Sequence, residues 1–188
     1  MPQYLRSFVP GGTYFFTVVT EDRVPLFHDE LARTILGQKF RDCHALMPFQ
    51  VDAIVLLPNH FHAIVTLPPG DTRYPARIGW IKKEFTKSWL AAGGTEQEGS
   101  YSRVVDRRRG VWQRKYWEHT IRDERDFECH FDYVHYNPVK HGYVTRPVDW
   151  IHSSIHRYIR LGWFSEDWGT TDGFATKWDG IMSIGGEP

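Results

Sequence analysis

Apolar and polar positions follow one another along this chain in blocks whose period changes from two to nearly four and back. Residues 12–20, GTYFFTVVT, are β-branched and aromatic and follow a Pro-Gly-Gly turn, so they predict a strand. Over 28–46, Leu31, Ile35, Leu36 and Phe40 recur at helical spacing, and Asp29 stands where an N-cap belongs. Two further strands, 49–57 and 60–67, meet at the Pro58-Asn59 turn and predict a hairpin. From 75 to 91, Ile78, Ile81, Phe85, Trp89 and Leu90 make one apolar stripe, the buried face of a second helix. Residues 91–100 are small and polar and read as a loop. Residues 111–121, VWQRKYWEHTI, alternate and predict a strand on which Trp112, Arg114 and Tyr116 share a face. Asp123 then caps a third helix, which should end or kink at Asn137-Pro138 because proline disfavours helical geometry in the residue before it. The order β-α-β-β-α-β plus a helix fits an α+β fold. It predicts a ferredoxin-like (RRM-like) antiparallel sheet with helices on one face and a C-terminal helix.

Composition adds a class and a compartment. At 188 residues the chain suits one domain, 1–165, with a trailing acidic, Gly- and Trp-bearing tail, 166–188. Cys43 and Cys129 are too few for a disulfide framework and suit a reducing cytoplasm. No apolar run reaches membrane-spanning length, so no membrane partner is expected. The formal net charge of zero hides a segregation. Lys82, Lys83 and Lys87 lie along the second helix, and Arg107, Arg108, Arg109, Arg114 and Lys115 surround the last strand. The tail instead carries Glu166, Asp167, Asp172, Asp179 and Glu187 against Lys177. Such a basic body predicts phosphate contacts, with Trp112 and Tyr116 as stacking platforms for bases. Solvated charged faces would look the same from sequence alone. The tail could compete with DNA for the basic groove, with Trp168 and Trp178 on its stacking surfaces, or only solvate.

The chemistry concentrates in LLPNHFHAIVTL, 56–67, where His60 and His62 share one strand face and could lean onto one ion. Alone, the pair is better accounted for as two partly exposed strand histidines. With VWQRKYWEHTIRDERDF and DYVHYNPVKHGYV following in that order, residues 3–165 resemble the REP-associated tyrosine transposases, a branch of the single-tyrosine HUH endonuclease superfamily.

That resemblance implies that His60 and His62 ligate a divalent cation, Mg²⁺ or Mn²⁺, and that Tyr133 is the nucleophile. It implies that Asn137, one turn on, completes the metal site. It further implies a metal-dependent single-stranded DNA endonuclease and strand transferase, monomeric rather than dimeric, acting on REP-type hairpins through a 5′-phosphotyrosine. From the residues alone other roles stay open. Tyr133 could be a core aromatic, with Tyr116, Tyr136 or Tyr143 as the nucleophile. Asn137 could cap one more helical turn closed by Gly142. Glu118-His119 is assigned no catalytic role. A catalytically inactive single-strand binding module, or a hydrolase using water, would share much of the pattern.

Overall fold

Alternation along two neighbouring strands, β1 (Thr13–Val19) and β3 (His60–Thr66), divides the interior into two cores. The structure, a computed structural model, describes residues 7–98 and 109–170. Tyr14, Phe16 and Val18 of β1 and Phe61, Ala63 and Val65 of β3 point to one side. There they meet Leu36 and Cys43 of α1 (Glu30–Leu46) and Ile78, Ile81 and Phe85 of α2 (Tyr74–Ala91). Phe15 and Ile64 point the other way, joined by Ala53, Val55 and Leu57 of β2 (Gln50–Leu57), and pack under α3 (Glu124–Lys140). A sheet covered on both faces reads as nearly continuous apolar sequence. Each large side chain buried here contributes about 1.5–3 kcal/mol of hydrophobic stabilisation.

The sheet runs β2-β3-β1-β4, with β4 at Trp117–Thr120, and the pairings are antiparallel. This is the split β-α-β arrangement expected from the element order. α1 and α2 occupy one face as predicted, and the third helix takes the opposite one. A short α4 (Ile155–Arg160) follows; just before it, the backbone around His152–Ser154 hydrogen-bonds the outer edge of β2.

Capping follows the sequence. Asp29 accepts from the Leu31 amide at 2.7 Å, and Asp123 from the Asp126 amide at 2.8 Å. Of the end or kink expected at Asn137-Pro138, the end is not observed, because α3 runs through Pro138 to Lys140. Proline there removes only one bond of the last turn, and the burial of Asn137 and Pro138 holds that turn in place. Closure comes at Gly142, whose φ of 70° lets its amide reach Val139 O and the Tyr143 amide reach Pro138 O, both at 2.9 Å.

The predicted strand over 111–121 is shorter than expected. Trp112 bridges Thr20, whereas Trp117 pairs with Thr17, so three steps along β1 face five on the partner. The extra residues swell out between 113 and 116 before regular pairing starts. Trp112 and Tyr116 do lie on one side, but that side faces the helix-covered core. Trp112 packs against Phe85, Phe27 and Phe61 at centroid distances of 5.1, 5.7 and 6.1 Å, and Tyr116 lies edge-on to Phe16. Trp112 is buried in that core rather than presented as an open stacking platform, and Arg114 alone of the three is exposed.

Candidate active site

His60 and His62 leave β3 on the side covered by α3, and both are buried. Their ring centroids lie 4.8 Å apart with planes at 82°. Across the sheet Thr17 pairs with His62 and sets its Oγ1 2.9 Å from the imidazole Nδ1. The Asn59 side-chain oxygen lies 2.6 Å from Nδ1 of His60. An amide oxygen can only accept, so His60 Nδ1 donates and its Nε2 keeps the lone pair. Burial, reinforced by His60, His141 and Lys140, holds His62 well below the ordinary histidine range and hence neutral. Both rings thus suit cation ligation.

α3 supplies the facing groups. Tyr133 and Asn137 are four residues apart and so lie on one helical face. The Tyr133 ring meets His62 at 5.3 Å and Phe15 at 5.8 Å, edge-on to both. Asn137 is fully buried, and neither of its amide atoms has a hydrogen-bond partner among the described residues. The same holds for His62 Nε2. Leaving a buried polar group unsatisfied costs about 1–3 kcal/mol, so the orphans on β3 and α3 are groups that a bound ligand would satisfy. Two neutral imidazoles and an amide oxygen fit a divalent cation.

Beside this pair lies a cluster that the sequence pattern does not predict. His119 of β4 and Asp126 and His130 of α3 bring ligand-type atoms within 4.8 Å of one another, an arrangement consistent with divalent-cation binding. The two rings stack at 4.5 Å, and Asp126 accepts from His119 Nε2 at 2.8 Å and from the Arg122 amide at 3.0 Å. Burial works against the Asp126 carboxylate, but hydrogen bonds from His119 and Arg122 keep it below the usual carboxylate range. Phe15 touches both His62, at 5.4 Å, and His130, at 5.0 Å, so the two clusters are neighbours on one face. Only sheet register brings His119 over a helix that begins five residues later, and periodicity does not reveal that.

Of the other candidate nucleophiles, Tyr116 packs against the opposite core, Tyr136 packs against the same cluster as Tyr133, and Tyr143 stacks on Trp150 at 5.4 Å and on His141 at 5.9 Å, whose ring lies 5.6 Å from that of His60.

The basic residues gather around a cleft of about 380 Å³ between α2 and the segment 109–114, lined by Lys82, Lys83, Lys87, Arg109, Trp112 and Arg114. Lys82 donates to Gln113 O at 2.8 Å, so its charge also braces the swollen segment. Arg109 pairs with Glu96. Lys83, Arg114 and Lys115 are exposed, while Arg107 and Arg108 lie outside the described residues. Of the acidic tail, 171–188 likewise lies outside them, including Asp172 and Trp178. Trp168 stacks on Phe164 at 4.3 Å beside His135, on the α3 side of the sheet.

No family model matches the sequence. The chain is 37% identical over 172 residues to a REP-associated tyrosine transposase of Escherichia coli K12, covering 89% of this chain and 91% of that protein. A Haemophilus influenzae protein carrying the same family name is 38% identical over 179 residues, covering 95% and 99% of the two chains. The solved structure of a REP-associated tyrosine transposase bound to a REP hairpin aligns with a TM-score of 0.75 at 36% identity, covering 92% of this chain and 94% of that one. A ferredoxin-like sheet with paired histidines facing a helix-borne tyrosine defines the tyrosine transposases of the HUH class, DNA nicking enzymes with a tyrosine nucleophile. Within that class the chain belongs to the REP-associated tyrosine transposases.

Proposed function

We propose that this chain cuts and rejoins single-stranded DNA beside REP-type hairpins, with Tyr133 as the nucleophile and His60, His62 and Asn137 as ligands of a divalent cation. The observation that supports this most directly is the contact of Tyr133 with His62, with Asn137 buried one turn further along α3, its side-chain amide without a hydrogen-bond partner among the described residues. When bound, the cation supplies polarisation of the scissile phosphate. Two nitrogens and one oxygen favour Mn²⁺ over Mg²⁺, since imidazole is a softer ligand than Mg²⁺ prefers.

The chain's own residues supply the rest. The Tyr133 oxygen forms a bond to phosphorus as the bond from phosphorus to the 3′-oxygen breaks. The phenol loses a proton and the departing 3′-hydroxyl gains one. Phosphodiester energy is kept in the 5′-phosphotyrosine, so rejoining needs no nucleotide triphosphate. Phe15 and Thr17 hold Tyr133 and His62 in place, while Lys83, Arg107, Arg108, Arg109, Arg114 and Lys115 hold the DNA backbone. We assign the activity to residues 1–165, with 166–188 as an acidic appendage, in a cytoplasmic monomer. No described helix is long and apolar enough to cross a membrane.

Labelled hairpin DNA with Mn²⁺ should yield a slower-migrating covalent protein–DNA band that Tyr133→Phe abolishes. His60→Ala and His62→Ala should remove the band and leave hairpin affinity largely intact, because phosphate contacts supply much of the binding. A band that survives Tyr133→Phe and disappears with Tyr136→Phe would overturn the assignment.

A further inference from the structure

The ligands assigned above are all neutral, yet the reaction they serve gathers negative charge. A phosphodiester under attack by a phenol acquires a second charge on its non-bridging oxygens as the new bond forms. Preorganised positive charge aimed at those oxygens is what stabilises such a transition state. The chain places one cation at the nucleophile. Lys140 ends α3, and its Nζ lies 5.2 Å from the centre of the Tyr133 ring.

The ammonium nitrogen is itself buried. A lysine at a helix C-terminus has an ordinary explanation, since cations there oppose the helix dipole by about 0.3–1 kcal/mol. That role is served with the ammonium in water. Lys140 instead folds back along the helix. The seven residue steps between it and Tyr133 span about 10 Å at the helical rise, a gap the four-carbon stem closes. Asn137 lies between the two in sequence, so nucleophile, amide ligand and cation line one side of the last two turns.

Resting on the function proposed above, we infer that Lys140 is a catalytic residue, its ammonium donating to a non-bridging oxygen of the scissile phosphate as the Tyr133 oxygen attacks. The lysine stays protonated throughout, and no proton passes through it. The transfer still exchanges one oxygen–phosphorus bond for another, with one proton lost by the phenol and one gained by the 3′-oxygen.

The test uses the full chain and a labelled hairpin whose cleaved linkage has been mapped with the unaltered protein. Lys140→Met should slow covalent adduct formation about 100-fold, the scale seen when one such donor is removed. Hairpin affinity should stay within about two-fold, since one phosphate contact is a small share of the whole. Lys140→Arg should recover most of the rate. The discriminating arm replaces the mapped linkage with a methylphosphonate, which carries no charge to neutralise. There the Lys140→Met defect should shrink to a few-fold. An equal defect on both linkages, or a wild-type rate with Lys140→Met, would overturn the inference while leaving Tyr133 as nucleophile. Loss of the proposed function itself would appear separately, as an adduct that persists in Tyr133→Phe. Should Lys140→Met fail to fold by circular dichroism, Lys140→Gln carries the same comparison.

Discussion

Thr17 and His62 face each other across the β1–β3 pair, with the threonine hydroxyl 2.9 Å from Nδ1 of the imidazole. A hydrogen bond on one ring nitrogen fixes the tautomer and aims the other at the ligand, and removing such a partner typically costs 10–100-fold in metal affinity. Thr17→Val keeps the shape and removes the hydroxyl. It should raise the Mn²⁺ concentration needed for half-maximal cleavage by about ten-fold or more, with a near-normal rate at saturating metal. A metal titration of adduct formation checks this, and an unchanged titration would remove Thr17 from the site.

Phe15 touches His62, Tyr133, His130 and Trp117. It is the packing element that the two histidine clusters share. Phe15→Leu should cost about 1–2 kcal/mol in urea unfolding, less than the 3–5 kcal/mol of a truncation to alanine. Its larger effect should be on cleavage, because a tyrosine that is displaced by even about 1 Å loses in-line geometry and can cost 100-fold in rate. Hairpin binding by gel shift should be unaffected.

His135 links α3 to the edge of β2 through a chain of bonds with only one possible direction. The Ile54 amide donates to Ser154 Oγ at 2.9 Å, and the hydroxyl donates to His135 Nε2 at 2.9 Å. Nδ1 then donates to Phe131 O at 2.8 Å. Protonating Nε2 would break that chain, and burial pushes the imidazole down to about 3. Between that value and the unfolded pKa near 6.5, the unfolded chain binds the extra proton, so stability rises with pH across this window. The share of His135 should be complete above pH 7 and fall by about 2 kcal/mol by pH 5, at about 1.4 kcal/mol per pH unit, beside that of His62, whose imidazole is also held down by burial. Urea unfolding at several pH values reads the slope, and His135→Gln should make it shallower by about 1.4 kcal/mol per pH unit while lowering stability at neutral pH.

Much of this fold is legible in the chain itself. Asp29, Asp123 and the 3.6-residue stripes locate the helices, and the His60-x-His62 spacing by itself puts both rings on one face. Three features are not legible there. Pro138 reads as a stop or a kink, because local preference cannot weigh the burial of Asn137 and Pro138 that carries the helix onward. Trp112 and Tyr116 read as stacking platforms, because alternation tells which residues share a face but not what covers that face. The His119–Asp126–His130 cluster depends on the register of β4 against β1, and register is set by the whole sheet.

The basic cleft makes the last distinction, between charges that meet DNA and charges that hold the protein together. Lys83 and Arg114 are exposed at its rim, whereas Lys82 donates to the Gln113 and Arg114 carbonyls at 2.8 and 3.4 Å. A side chain that only contacts phosphate contributes one released counterion, worth about 0.7–0.9 in the slope of log affinity against log salt. Lys83→Ala should reduce the slope by about that amount and leave thermal stability unchanged, and Arg114→Ala should reduce the slope to a similar extent. Lys82→Met should instead lower stability by about 1.5–3 kcal/mol, the worth of a charged hydrogen bond. It should also weaken hairpin binding with little change of slope, because the segment 113–116 would lose its brace. Salt-dependent gel shifts paired with thermal unfolding separate the two behaviours. A Lys82→Met protein with normal stability and a slope reduced by about one would assign that lysine to the DNA as well.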